Sequence, residues 1–192
     1  MDSSIINTIT KNDFAVDQYF AIYNNILDKL QVLSEKAKKY LSDKCTSDGR
    51  ISSKLLNENQ YKTHGFAWFE TYRISLRETL CWYKRLHETG QATKLDSLIL
   101  AGAFSEYLTQ MRDGIMMSQS ETIRYSDLGL DKSDFSFFED QETHDAVSYG
   151  LSEDLKLEIV DFLDKGQYPS LGLGDETLDM IQDPVSYTHL RA

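Results

Sequence analysis

Hydrophobic positions recur at helical spacing through most of the first 110 residues. In the first run, Val16, Tyr19, Phe20, Tyr23, Ile26, Leu27, Leu30, Leu33, Ala37 and Leu41 fall on one side. Asp17, Asn24, Asp28, Gln31, Glu35 and Lys38 fall opposite, which predicts a long amphipathic helix with Asn12 or Asp13 as its cap. Residues 1–12 read as a polar, frayed N-terminus. Lys36, Lys38, Lys39 and Lys44 suit the negative end of the helix dipole, and the turn residues of Cys45-Thr-Ser-Asp-Gly49 should close the helix.

A second helix is expected from a cap at Ser52 or Ser53 to about Glu88, built around THGFAWFETYRISLRETLCWYKRL, Thr63–Leu86. His64, Trp68, Thr71, Ser75, Thr79, Trp82 and Leu86 make one stripe. Phe69, Tyr72, Leu76, Leu80 and Tyr83 make a second beside it, leaving Glu70, Arg73, Arg77, Glu78, Lys84 and Arg85 for solvent. A helix apolar over so much of its circumference belongs inside a bundle and touches more than one neighbour. Gly65 costs about 1 kcal/mol against alanine in an isolated helix, so its place here suggests close approach of a neighbouring helix.

Thr89-Gly90-Gln91 stops that helix, and a third runs from Lys94 to about Gly114. Leu100, Phe104, Tyr107, Met111 and Ile115 lie along one side of it. Leu95, Leu98, Ile99, Gly102 and Ala103 broaden that surface. Gly114–Asp131 loses the periodicity and reads as a loop, in which Ser118 and Glu121 have capping-box spacing and suggest a short helical turn. Ser133–Asp145 is a loop or short helix packed by Phe135, Phe137 and Phe138. Ser152 caps a fourth helix with Leu155, Ile159, Phe162 and Leu163 as its core side, and Gly166-Gln-Tyr-Pro169 ends it. The fold class is therefore all-α: a bundle of about four main helices over residues 13–166, with a long irregular segment between the third and fourth. Residues 167–174 read as a linker, and Asp175–Gln182, with Leu178 and Ile181 on one face, opens another helix.

With 192 residues and 41% hydrophobic content, one well-buried core is within reach, and only two prolines suits long helices. The net charge of −11 argues against nucleic-acid or anionic-membrane binding, both of which need a basic surface. The sequence holds no apolar run long enough to span a bilayer, and the N-terminus has no secretory-signal pattern. Cys45, in an expected loop, and Cys81, inside a helix, read as two reduced thiols, which fits a cytoplasmic protein.

The chemistry-bearing residues form no catalytic constellation. Of the four histidines, His64 lies on a helix stripe and reads as a hydrogen-bonded core residue; His87 precedes Glu88 directly. Glu142-Thr-His144 lacks the Glu-x-x-His spacing of a di-metal four-helix bundle, which weakens that reading. Cys81 reads as a small core residue. Gly172 and Gly174 lack the preceding strand of a phosphate-cradling loop. Glu121 and Arg124 fit either a ligand or partner contact or, more simply, a local helix-surface ion pair. No catalytic, cofactor-binding or metal residue is assigned.

Two stretches carry a family resemblance. His64-Gly-Phe-Ala-Trp68-Phe-Glu-Thr-Tyr72-Arg-Ile-Ser-Leu76 with Trp82-Tyr-Lys-Arg-Leu86 is one. The other is Phe104-Ser-Glu-Tyr-Leu108 through Gly114-Ile-Met-Met-Ser118-Gln119-Ser-Glu121-Thr-Ile-Arg124-Tyr-Ser-Asp127-Leu128-Gly129. Both resemble the N-terminal extension of some bacterial acyl-CoA dehydrogenases, nearest the branch acting on methylsuccinyl-CoA. In that family the second run reads glycine, isoleucine, proline, methionine, serine, glutamine, glycine, glutamate. Met116 and Ser120 replace the proline and the second glycine here, and Tyr125 stands where another proline is usual. The likeness covers about residues 50–183, and residues 175–184 resemble the opening helix of the dehydrogenase domain.

The resemblance implies a flavoenzyme that removes an α-proton from an acyl-CoA with a carboxylate base and passes the β-hydride to FAD. It places that machinery outside this stretch, so no FAD site is expected within it. The helices would then be a non-catalytic packing or oligomerisation domain, whose partners are the remainder of the dehydrogenase chain and its homo-oligomer. Trp68, Tyr72, Ser118, Gln119, Glu121 and Arg124 are the candidate interface residues. The eight letters VSYTHLRA, Val185–Ala192, resemble the in-frame translation of a sequencing adapter, which would make the chain the front part of a truncated reading frame. The competing expectation is a stand-alone cytoplasmic helical interaction module.

Overall fold

The computed structural model describes residues 6–172, with side-chain environments from residue 19 onward. The expected domain start at 175–184, the adapter-like tail with His189, and the last residues of the linker lie outside that range. Helix α1 spans Ile6–Cys45, so the backbone is already helical well before the expected caps at Asn12 and Asp13, and the frayed stretch does not reach residue 12. At 1.5 Å per residue α1 is about 60 Å long. From residue 19 on, its stripe is the one read from the sequence, with Ile22 added: Tyr23, Ile26, Leu30, Leu33, Ala37 and Leu41 are buried, while Val16 lies outside the described side chains.

The turn after α1 is a small hairpin, β1 (Thr46–Ser47) against β2 (Arg50–Ile51). Asp48 and Gly49 both take positive φ, which is the two-residue turn that matches strand twist. Ser52 then caps α2, Ser53–Glu58, its hydroxyl accepting from the Leu55 N–H. The expected continuous second helix is in fact broken at Asn59, whose φ of −108° and ψ of 16° depart from helical values, and α3 runs from Gln60 to Glu88. Asn59 donates from its side chain to the Leu55 carbonyl at 2.9 Å, the local bond by which asparagine competes with helix continuation.

Helix α4, Lys94–Asp113, begins in a capping box between Thr93 and Asp96. It is the centre of the body: α3 packs on one flank, α5 (Gln141–Leu151) packs most extensively on another, and α6 (Glu153–Asp164) follows beside it. Ser152 caps α6 as expected, accepting from the Leu155 N–H at 3.3 Å. Of the predicted core side, Leu155 is buried and Ile159 and Phe162 pack against it, but Leu163 is exposed, because α4 covers only a narrow strip of α6. The described residues are all-α apart from two short hairpins, as expected, and α5 adds a further helix at the end of what reads as irregular sequence. Its apolar face is short, Ala146 and Gly150 with Thr143, and small residues give a weak hydrophobic period.

Between α4 and α5 lie a second hairpin, β3 (Ile115–Met116) with β4 (Thr122–Ile123), and two 3-10 segments, Tyr125–Leu128 and Lys132–Glu139. Phe135, Phe137 and Phe138 are buried, as the sequence suggests. Cationic side chains hold this acidic segment in place. Lys36 meets Asp134 at 2.6 Å and Asp131 at 3.5 Å, Lys29 meets Asp140 at 3.3 Å, and Arg112 lies 4.9 Å over the Phe138 ring. Lys36 thus serves these carboxylates, and the end of α1 is left to Lys44 in its last turn.

Helix α3 does touch several neighbours, α1, α4, β3 and the first 3-10 segment. Its second stripe is the buried one: Phe69, Leu76, Leu80 and Tyr83 are core, while Trp68, Tyr72 and Trp82 are half-buried. Arg73, expected in solvent, is only 8% exposed, and its guanidinium makes a two-pronged bond to Glu70, Nε to Oε1 at 2.9 Å and Nη2 to Oε2 at 2.8 Å. Burial alone would raise the Glu70 carboxyl, but hydrogen bonds from Arg73 and Ser34 and the charges of Arg73 and Lys38 outweigh it and hold the group below its ordinary value. A carboxyl lowered by folding adds stability above its ordinary pKa of 4.5 and loses it as pH falls through the folded value. Glu70→Gln should therefore cost roughly 1–2 kcal/mol at pH 7 in urea denaturation, a difference that shrinks as pH falls below 4.5 and through the lowered folded value. An equal gap at pH 3 would contradict this origin.

Tyr23 presents the opposite case. It is buried, stacked on Phe104 with ring centroids 4.2 Å apart, and its hydroxyl has no hydrogen-bond partner among the described residues. Burial, with Tyr19 and Tyr149 nearby, pushes the hydroxyl far above the ordinary tyrosine range. Tyr23→Phe removes an unpaired polar atom at no loss of volume, and should raise stability by up to about 1 kcal/mol in the same measurement.

Candidate functional site

The residues singled out in the sequence fall into two groups joined by α3. The first is an aromatic ridge. Trp68 and Tyr72 lie one turn apart on α3, their rings edge-on at 6.3 Å. The Trp68 indole Nε1 donates to His64 Nε2 at 3.0 Å. His64 is exposed, so it is a surface partner of Trp68 and not a core histidine. Tyr72 stacks on Tyr107 of α4, 4.4 Å between centroids, and its hydroxyl donates to Gln110 Oε1 at 2.9 Å. Desolvation, then Tyr107, pushes the Tyr72 hydroxyl up, so it stays a neutral donor at any physiological pH.

The second group sits on the β3–β4 hairpin. Ser118, Gln119, Glu121 and Arg124 are all exposed. The Ser118 and Glu121 pair does meet, Oγ to Oε2 at 3.4 Å, but it closes the hairpin loop: Met117 and Ser118 N–H both donate to the Glu121 carbonyl. Capping-box spacing here marks a strand turn, not a helical one. Because Thr122 and Ile123 are paired in a strand, Glu121 and Arg124 lack the helical spacing of an ion pair. The Arg124 backbone N–H instead bonds Asp127 Oδ2 at 2.9 Å, capping the next 3-10 turn.

Gly65 is what lets the hairpin approach α3. A Cβ there would lie 2.3 Å from Ile123 Cγ1, so the glycine does allow a close neighbour, but the neighbour is a strand side chain and not a helix. Tyr61 adds a second tie, its hydroxyl donating to the Thr122 carbonyl at 2.6 Å. Tyr61, Gly65, Trp68 and Tyr72 share one face of α3, so the hairpin adjoins the ridge. Gln110 and Tyr61 carry no motif signal; Tyr61 is findable only by extending the α3 stripe one turn towards its start.

Both cysteines are free thiols and Cys81 lies within a helix, α3, as expected, but Cys81 is exposed rather than core, and Cys45 ends α1 and is buried rather than lying in a loop. Among the described residues no three His, Cys, Asp or Glu side chains gather where a metal ion could sit. No helix among them is long and apolar enough to cross a membrane. The arrangement offers stacked aromatic surface and hydrogen-bonding groups, the properties of a contact face.

By sequence, this all-α body is similar to an acyl-CoA dehydrogenase. The relative is (2S)-methylsuccinyl-CoA dehydrogenase of Cereibacter sphaeroides, 42% identical over 108 residues, a span that covers 56% of this chain and 20% of that protein. The chain thus matches about a fifth of the length of its curated relative. No family model matches it.

Proposed function

We propose that these helices are the N-terminal part of an FAD-dependent acyl-CoA dehydrogenase, with methylsuccinyl-CoA the favoured substrate, and that they supply packing surface while the chemistry lies elsewhere in the enzyme. The observation that carries this is the 42% identity over 108 residues to a dehydrogenase named for that substrate. The described residues do not fit a flavin: the aromatic ridge is filled by its own stacking, with Gln110 holding the Tyr72 hydroxyl. The flavin, when bound to the whole enzyme, would accept the hydride there. The part described here would orient and shield, by burying the ridge and the hairpin against the dehydrogenase body or a second subunit.

The test is the reading frame of an intact genomic copy of this gene. Its product should purify with bound FAD, and methylsuccinyl-CoA should bleach the flavin absorbance under anaerobic conditions. A frame that closes shortly after Pro184, or a product without flavin, would defeat the reading. The stand-alone interaction module draws on a different observation, the exposed Leu157, Val160 and Leu163 of α6, and would be favoured by that second outcome.

A further inference from the structure

Helix α6 ends at Asp164, and Gly166, at φ +71°, turns the chain, with its N–H on the Leu163 carbonyl and the Gln167 N–H on the Phe162 carbonyl. The next residues do not leave the body. The Ser170 N–H donates to Asp96 Oδ1 at 2.8 Å, and the Ser170 carbonyl accepts from Trp82 Nε1 at 2.9 Å. Pro169 restricts Tyr168 and itself to extended geometry between the two anchor regions. Gly172 then seats against the side chains of Leu86 and Trp82, where an added Cβ would be 3.2 and 3.4 Å from their nearest atoms.

Asp96 is the centre of this arrangement. It is completely buried, and its two oxygens are divided. Oδ2 holds the Thr93 N–H and hydroxyl in the α4 cap, at 2.8 and 2.7 Å, while Oδ1 holds Ser170. A buried carboxylate is costly unless its lone pairs are satisfied, so releasing Ser170 costs Oδ1 its donor. The indole of Trp82 loses its acceptor in the same movement.

We propose that residues 167–172 are a latched strap, with Asp96 and Trp82 as its two catches, that fixes the direction in which the chain leaves the helical body. The 167–174 segment, expected as a linker, is then a structural element through residue 172. Only the strap's use, holding these helices in register with a dehydrogenase body, rests on the function proposed above.

Hydrogen exchange on the 192-residue chain reads the latch at a single amide. The Ser170 N–H should exchange at least about tenfold more slowly than an unbonded amide of the same sequence. Trp82→Phe keeps a ring in place and drops the indole N–H; it should speed Ser170 exchange roughly fivefold, while amides in the middle of α3 and α4 keep their rates. An unprotected Ser170 amide in the unsubstituted chain overturns the proposal, and so does an unchanged rate in Trp82→Phe. If Trp82→Phe loosens the whole body, the unsubstituted chain decides alone. A protected Ser170 in a protein without flavin would retain the latch and defeat only the dehydrogenase reading.

Discussion

Gly150→Ala should destabilise the helical body by roughly 3 kcal/mol, near the upper end of what overpacking a close helix contact costs. A Cβ at this position would lie 2.1 Å from Ser105 Oγ and 2.3 Å from the Ala101 carbonyl oxygen. The second obstacle is backbone, so no rotamer change relieves it, and α4 and α5 must separate. That crossing is the most extensive helix pair in the body, and its facing residues are small: Ala101, Ser105, Ala146 and Gly150. Gly102→Ala is the matched control on the opposite helix. Its Cβ would meet Leu155 Cδ2 at an ordinary 3.7 Å, so the gain in helix propensity, up to about 1 kcal/mol, should show as stabilisation. Urea denaturation of both variants checks the pair; equal effects would mean that the helices are not in contact at Gly150.

Phe104→Ala should cost about 3–5 kcal/mol, the range for emptying a fully buried aromatic site. Phe104 has no exposed surface and its ring lies against Tyr23, which brings α1 onto α4. Its loss removes the α1 contact and leaves Tyr23, with its unpaired hydroxyl, facing a cavity. Because a chain of this size has a total stability of about 5–15 kcal/mol, the variant should show a large drop in thermal midpoint. A loss below 1 kcal/mol would show that α1 does not dock on α4 through this pair.

How much of this was legible in the sequence depended on the kind of signal each element carries. α1, α3 and α4 bury large side chains at clean helical spacing, so their stripes and most of their boundaries could be read directly. The Ser52 and Ser152 caps could be read because a hydroxyl before a periodic run has one local use. α5 was hidden because its buried face is Thr143, Ala146 and Gly150, and small residues carry little hydrophobic contrast. The break at Asn59 comes from a single side-chain bond to Leu55, which no periodicity reports.

Sites were less legible than elements, since exposure depends on which neighbours arrive. Arg73 and His64 sit at helix positions whose burial the wheel alone misassigns: α1 covers the first, and nothing among the described elements covers the second. The Ser118 and Glu121 pairing was real, but the same spacing serves a helix start and a hairpin loop. The resemblance to a dehydrogenase rests on specific words of sequence, His64–Leu86 and Phe104–Gly129, and on no physical pattern. Those two stretches also form the ridge and the hairpin, so the recognisable sequence and the candidate contact face coincide.

If these helices are packing surface for a flavoenzyme, as proposed, sedimentation velocity of the intact gene product with and without residues 1–172 will register it. The shortened enzyme should still hold flavin but change its state of assembly or aggregate, since the surface proposed to meet Trp68, Tyr72 and the hairpin would be left bare. An unchanged sedimentation coefficient after correction for mass, with undiminished acyl-CoA oxidation, would contradict it.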